Sequence, residues 1–122
     1  MSLCLAAAGI VVALGADAIT LQWRHSVEKI LWQEDWLQSG NRILMTEARI
    51  LGSGAGMEPP PEARLIGGAW RWKPDLPPQI SVSLRRSAAT VDWQICTRGQ
   101  CQWVHEIIKD ADPVTLGICP AP

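Results

Sequence analysis

The 122-residue chain has no phenylalanine and no tyrosine, and its aromatic residues are seven tryptophans. It also lacks a dominant sign of charge, since 11 Lys and Arg stand against 12 Asp and Glu, and its basic residues are scattered. A nucleic-acid surface needs a concentrated basic patch, so this class of protein is excluded. Because indole offers a large area to bury and one N–H donor, tryptophan and small aliphatic residues must build the core or the wall of a binding site.

No apolar run is long enough to cross a bilayer as a helix, which takes about 20 residues. Residues 3–15 are apolar, but the pair Ala8-Gly9 interrupts them and no Lys or Arg precedes them as in a signal peptide. We therefore predict two short strands joined by a turn, and no membrane span. This places the protein in the cytoplasm by default, with the periplasm or cell envelope as the alternative.

Short stretches of alternating apolar and polar residues dominate the chain, and this period of two is typical of half-buried strands. A chain of this length fits one domain with its own core. We predict a single all-β domain over residues 1–122, an antiparallel β-sandwich or flattened barrel of about eight to ten short strands. The predicted strands are 3–7, 10–14, 18–25, 28–36, 42–51, 80–84, 91–96, 101–107 and 114–119.

The middle of the chain is rich in residues that interrupt regular structure. Residues 52–79 contain five Gly and six Pro. We predict a long irregular loop here, apart from a brief strand at 69–72. A loop of this length in a small domain is commonly a functional or a disordered one.

Four cysteines allow three full pairings. Cys96 and Cys101 bracket a short hairpin loop, and Cys4 and Cys119 lie on the first and last predicted strands, which often neighbour each other. Two disulfides in this arrangement suit an oxidising compartment. Buried free thiols and a zinc site are the alternatives, although only one pair approximates the spacing of zinc ligands. We predict no metal and leave the state of the thiols open.

The candidate functional residues fall in two patches, residues 23–36 and 52–61. In the first, a histidine, a serine and carboxylates are the residue types of nucleophilic and acid–base chemistry. They form no complete motif, because neighbouring side chains on a strand point to opposite faces and Glu28 and Glu34 lie about 20 Å apart along it. We assign no catalytic residue and no cofactor. The candidate ligand-binding residues are His25, Ser26, Glu28, Glu34, Ser53, Gly54 and Gly56.

In the second patch, glycine at alternate positions permits positive φ, so that successive backbone N–H groups can converge on an anion. The stretch 52–58 lacks the Lys of a phosphate-binding loop and the context of a dinucleotide-binding fingerprint. A rigid corner, with Gly for the bend and Pro for stiffness, accounts for the same residues. Both interpretations stay open.

Glu34 lies between Trp32 and Trp36 on the face predicted to turn inward. A buried carboxylate must be paired, hydrogen-bonded or protonated. We expect an ion pair with Arg49 or Arg24 on a neighbouring strand. Contact with a ligand is the alternative.

Three stretches of the chain carry a resemblance to a known family. They are Trp23-x-His25-Ser26-Val27-Glu28, Trp32-x-Glu34-x-Trp36 and Gly52-Ser53-Gly54-Ala55-Gly56-Met57. With them the chain resembles, over nearly its whole length, a small bacterial family catalogued as a domain of unknown function, DUF1850. Members of that family are often encoded beside TRAP-type transporters of the TAXI subgroup, so the resemblance implies an accessory role at the cell envelope and assigns no activity.

Two functional classes follow. The first is a non-enzymatic binding module whose Trp-rich strands and Gly/Pro loop bind a small anionic ligand or a transporter subunit. The second is a hydrolase-like enzyme with His25 as base, Glu28 or Glu34 as its orienting carboxylate, and backbone N–H groups of residues 52–56 stabilising an oxyanion. The structural alternative is that His25 lies at the edge of the core and donates a hydrogen bond to a backbone carbonyl. We favour the binding module, because no nucleophile, base and orienting group are spaced to meet without special geometry. No oligomeric state follows from the sequence.

Overall fold

Nearly all of the regular structure is β-strand. The computed structural model describes residues 2–24, 30–52, 59–86 and 92–120, and within these ranges it has eleven strands and one helical turn, α1 (Val104–Ile107). The all-β prediction is confirmed. The strands are β1 (Leu3–Ala7), β2 (Ile10–Ala13), β3 (Ala18–Arg24), β4 (Leu31–Ser39), β5 (Arg42–Leu51), β6 (Arg64–Ile66), β7 (Ala69–Trp72), β8 (Ser81–Leu84), β9 (Gln94–Thr97), β10 (Gln100–Trp103) and β11 (Val114–Ile118).

These strands form two antiparallel sheets that do not close into a barrel. The small sheet has the order β2-β1-β11-β8, and the large sheet has the order β10-β9-β3-β4-β5-β7-β6. The first and last strands pair, with Leu5 opposite Leu116, as their position in the sequence predicts. The architecture is therefore the sandwich and not the flattened barrel.

The core lies between the sheets, where the apolar face of each turns inward. Leu3, Leu5 and Leu116 come from the small sheet, and Leu21 and Trp36 come from the large one. Trp36 is the largest fully buried side chain, with 2% of its surface exposed. Since burial of a large apolar side chain stabilises a fold by about 1.5–3 kcal/mol, this layer holds the two sheets together.

A β-bulge decides which face of the large sheet the residues of β5 occupy. The register between β4 and β5 shifts between Asp35 and Trp36, which leaves Thr46 as the extra residue. A bulge of this kind interrupts the alternation of side chains. Arg49 consequently lies on the outer face, whereas uninterrupted alternation predicted it on the same face as the buried Ile43.

The predicted strand 101–107 is wrong beyond Trp103, where α1 begins. Val104 and Ile108 are 0% and 3% exposed, and a helical turn brings residues four apart to one side. The backbone N–H of Ile108 donates to the carbonyl of Val104 at 2.9 Å, and the carboxylate of Glu106 accepts from the backbone N–H of Trp103 at 3.0 Å. A strand would place Glu106 on the same face as these two residues, but Glu106 is exposed, so the pattern of burial favours a helical turn here. No helix in the described ranges is long and apolar enough to cross a membrane.

Residues 59–79 are more regular than the predicted loop. β6 and β7 form a hairpin that extends the edge of the large sheet beyond β5. Its turn is Gly67-Gly68, with φ of 61° and 82°, and a two-residue turn with positive φ at both positions matches the twist of the strands that it joins. The brief strand predicted at 69–72 is confirmed. β6 escaped prediction because its three residues are all exposed and carry no alternation.

The four cysteines form two disulfides, Cys4–Cys119 and Cys96–Cys101. The first joins residues 115 positions apart, and the second joins residues five apart that lie directly opposite each other in the β9–β10 hairpin. Among the described residues, no group of three or more His, Cys, Asp or Glu could hold a metal ion.

Candidate functional site

The predicted site is described only in part. Six of its candidate residues lie outside the described residues, so the meeting of the two sequence patches stays a prediction: His25, Ser26, Glu28, Ser53, Gly54 and Gly56. The described residues next to these patches do meet, because Leu31 of β4 pairs with Arg24 of β3 on one side and with Leu51 of β5 on the other. We therefore place the candidate site at this end of the large sheet, where Arg24, Leu31 and Leu51 pair.

Indole side chains form a continuous row towards this end. Trp32 stacks on Trp23 with ring centroids 5.8 Å apart, and it meets Trp72 edge to face at 6.4 Å. Trp23 in turn contacts Trp93 at 4.6 Å. We call these four residues the tryptophan row. All four are partly exposed, and Trp32 and Trp72 lie outside the core cluster between the sheets.

Strand register explains why these rings meet. Trp23 and Trp32 are directly opposite each other on β3 and β4, and opposed side chains on antiparallel strands have Cβ atoms about 5 Å apart. On the other side, Ala48 of β5 lies between Glu34 of β4 and Trp72 of β7. Because the alanine side chain is small, it leaves the space over β5 in which the rings of Trp72 and Trp32 make contact.

Glu34 shares the inner face with the row, as alternation along β4 predicts. Its Oε1 accepts a hydrogen bond from Nε1 of Trp36 at 3.1 Å. The expected ion pair is wrong, because Arg24 and Arg49 belong to the outer face of the sheet, and none of the ion pairs among the described residues includes Glu34. Burial raises the pKa of the Glu34 carboxyl above its ordinary value, although the hydrogen bond from Trp36 acts in the opposite direction.

Trp32 adds an unpaired donor. Its Nε1 is buried and has no hydrogen-bond partner among the described residues. A buried donor without a partner costs about 1–3 kcal/mol, so each one in a native protein calls for an explanation. This face of the sheet therefore has partly exposed aromatic surface. Among the described residues it also carries a carboxylate without a counter-ion and a buried N–H without a partner. We take this face as the candidate site.

Replacing Glu34 with glutamine is expected to raise the melting temperature at neutral pH. The folded-state pKa of Glu34 is raised, so its contribution to stability is fully present below the unfolded-state pKa and is lost as the pH rises through the folded-state pKa. Glutamine stays neutral and keeps an oxygen for Trp36. The gain should therefore disappear below about pH 4. Thermal melts at both pH values test this, with the exposed Glu62→Gln as a control that should change neither melt, and an unchanged melt of Glu34→Gln at pH 7 would contradict the prediction.

A polar network centred on Arg49 lies on the outer face of the same sheet. Its guanidinium donates to both carboxylate oxygens of Asp35 at 2.7 Å, to Glu47 at 2.7 Å and to Gln33 at 2.8 Å. The hydrogen bonds from Arg49 lower the pKa of Asp35, and the same bonds raise the pKa of Arg49. Since most of its donors already bind carboxylates and an amide, Arg49 is structural and is not a site for an anion.

A second polar cluster, which the sequence analysis missed, lies where α1 begins. Oδ2 of Asp92 accepts from the backbone N–H of His105 at 2.7 Å and lies 2.9 Å from Nδ1 of the same residue. Nε of Arg86 lies 3.3 Å from Oδ1 of Asp92. His105 is half exposed, and with Lys109 these residues line a surface cleft of about 300 Å³. A carboxylate that orients a histidine is one part of acid–base machinery. Among the described residues, however, Asp92 is the hydrogen-bond partner of that ring, so the cluster is an oriented histidine and not a triad.

The register of the β9–β10 hairpin is the feature from which the pair Asp92 and His105 could have been predicted. Cys96 lies opposite Cys101 and Gln94 lies opposite Trp103. Continuing the same register by two residues puts Asp92 opposite His105. The predicted Cys96–Cys101 pair, extended along both strands, therefore brings the side chains of Asp92 and His105 together.

The fold and the site define a small two-sheet β-protein with an aromatic face at one end of its larger sheet. The chain belongs to the family described as a domain of unknown function, DUF1850, whose sequence model matches residues 19–104, more than half of the chain. The resemblance is thus confirmed. The matched region includes the tryptophan row and Glu34, and it leaves out β1, β2 and β11 of the small sheet. No curated protein and no solved structure matches the chain.

Proposed function

We propose that this protein is a non-enzymatic binding module, an accessory of a TAXI-type TRAP transport system, and that the tryptophan row is its contact surface. The row itself is the observation that carries the proposal, because its four indoles are contiguous and only partly buried. Tryptophan is enriched at the energetically important centres of protein interfaces. A surface of this kind is suited to binding a partner protein.

The family resemblance supports a transporter subunit as the partner, since members are often encoded beside such transporters. The row suits a protein surface better than a small anion, because an ionised Glu34 would repel an anion at this place. The hydrolase-like alternative depends on His25 with Glu28 or Glu34 and on the backbone of residues 52–56. It stays a prediction, because His25, Glu28 and residues 53–56 lie outside the described residues.

Truncation of Trp72 to alanine is expected to weaken binding to the membrane subunit of the transporter by about 30-fold or more, since loss of a tryptophan hot spot costs about 2 kcal/mol or more. Trp72 lies on β7 near the edge of the large sheet, away from the core between the sheets, so the fold should survive its loss. Biolayer interferometry with the purified transporter in nanodiscs gives the dissociation constants.

Trp103→Ala is the matched control. Trp103 is also partly exposed, but it lies on β10 opposite Gln94, outside the row, and its loss should leave the affinity unchanged. Trp72→Phe, which keeps an aromatic ring, should retain most of the binding. Equal affinities for wild type and Trp72→Ala, or no binding by the wild type, would refute the proposal.

A further inference from the structure

Among the residues that the structure describes, the neighbours of Glu34 on its face of the large sheet are uncharged. The residues that face it from β3 and β5 are Leu21 and Ala48, and its neighbours on the same face of β4 are Trp32 and Trp36. Trp36 is its hydrogen-bond partner, through a single oxygen. A carboxylate accepts about four hydrogen bonds when ionised, so most of its capacity stays unused among the described residues.

The aromatic rings on the same face of the sheet as Glu34 pack on one another and form one continuous, partly exposed surface. The rings of Trp32 and Trp72 are nearly perpendicular, at 87°, and those of Trp23 and Trp32 are nearly parallel, at 18°. The faces of indole rings attract cations, with a contribution of about 0.5–2 kcal/mol that grows as water is excluded. An aromatic surface of this kind next to a carboxylate favours a positively charged group over a neutral or anionic one.

We infer that the tryptophan row binds an arginine side chain of the transporter subunit, with Glu34 as its counter-ion. This inference rests on the function proposed above. A guanidinium is planar, stacks on aromatic faces and pairs with a carboxylate through two parallel hydrogen bonds, so one side chain uses both the rings and Glu34.

The test uses two short peptides that differ in one group, acetyl-Gly-Arg-Gly-amide and its citrulline counterpart, which has almost the same shape and no charge. Indole N–H signals in ¹H–¹⁵N spectra of the full-length protein report binding at single tryptophans, once Trp→Phe variants have assigned them. The arginine peptide should shift the signals of Trp32 and Trp72 in a saturable way. The citrulline peptide should bind at least fivefold more weakly.

Glu34→Gln should weaken binding of the arginine peptide at least fivefold, while the exposed Glu62→Gln leaves it unchanged. Equal binding of the two peptides, or equal binding by wild type and Glu34→Gln, would overturn the inference. Tighter binding of tetramethylammonium than of the arginine peptide would also overturn the inference. If the peptides fail while the transporter still distinguishes wild type from Trp72→Ala, the inference falls and the proposed function stands.

Discussion

Replacing Arg49 with methionine is expected to lower the free energy of unfolding by about 3 kcal/mol at neutral pH, the lower end of the range for breaking a buried ion pair from one side. The side chain of Arg49 is 11% exposed, whereas those of Asp35 and Glu47 are 33% and 35% exposed, so water compensates part of the loss. Methionine keeps most of the apolar length and removes every donor. Asp35 and Glu47 are directly opposite each other, and like charges in that position destabilise a sheet. Urea denaturation of both proteins measures the difference.

Arg71→Met is the matched control, because Arg71 binds the same Glu47 at 2.9 Å but is 37% exposed. An exposed pair contributes about 0–1 kcal/mol, so this variant should lose far less stability. Equal losses would contradict the assignment of Arg49 as the centre of the network.

The loss of stability in Arg49→Met should also depend on pH. Because the pKa of Asp35 is lowered in the folded protein, the stability that it contributes is present above its unfolded-state pKa and is lost as the pH falls through the folded one. The difference between wild type and Arg49→Met should therefore shrink below about pH 4.

The fold could be predicted wherever local alternation and burial agree. In β3, Ile19 and Leu21 are 4% and 1% exposed and alternate with polar residues without interruption. In β5 the same pattern misled, because a bulge depends on how two strands pair and not on the order of residues in one of them. At α1, Val104 and the following Ile108 fit a strand equally well when only the sequence is read. A helical turn forms because of how these side chains pack in the core between the sheets.

The candidate site could likewise be predicted only in part. The place of Glu34 on the inner face could be predicted, since alternation along β4 holds as far as Trp36. The partner of Glu34 could not be predicted, because the bulge at Thr46 turns Arg49 to the other face of the sheet. The contact of Trp72 with Trp32 required knowledge that β7 pairs with β5, and the turn residues in the sequence do not specify that pairing. Alternation within one strand thus predicts the face of a residue only as far as the next bulge, and the neighbour of that residue depends on which strands pair.

The two disulfides should differ strongly in their effect on stability. The Cys4→Ala/Cys119→Ala variant is expected to lose about 4–5 kcal/mol, and the Cys96→Ala/Cys101→Ala variant about 2 kcal/mol, because a cross-link restricts the unfolded chain more as the loop that it closes grows. The cysteines of each pair are 115 and five residues apart, respectively. Urea denaturation of both variants under oxidising conditions, with the oxidised wild type as reference, tests the order.

The place of Cys4–Cys119 in the fold points to the same order. The bond joins β1 to the residue after β11, and these paired strands carry Leu3, Leu5 and Leu116 into the core between the sheets. Cys96–Cys101 joins two strands that their own hairpin turn already holds together, so its loss leaves that pairing in place. A small domain has only about 5–15 kcal/mol of stability, and loss of the first bond would therefore remove about a quarter of it or more. Equal losses for the two variants would mean that the unfolded chain already keeps its two ends close together, so that the long loop costs little to close.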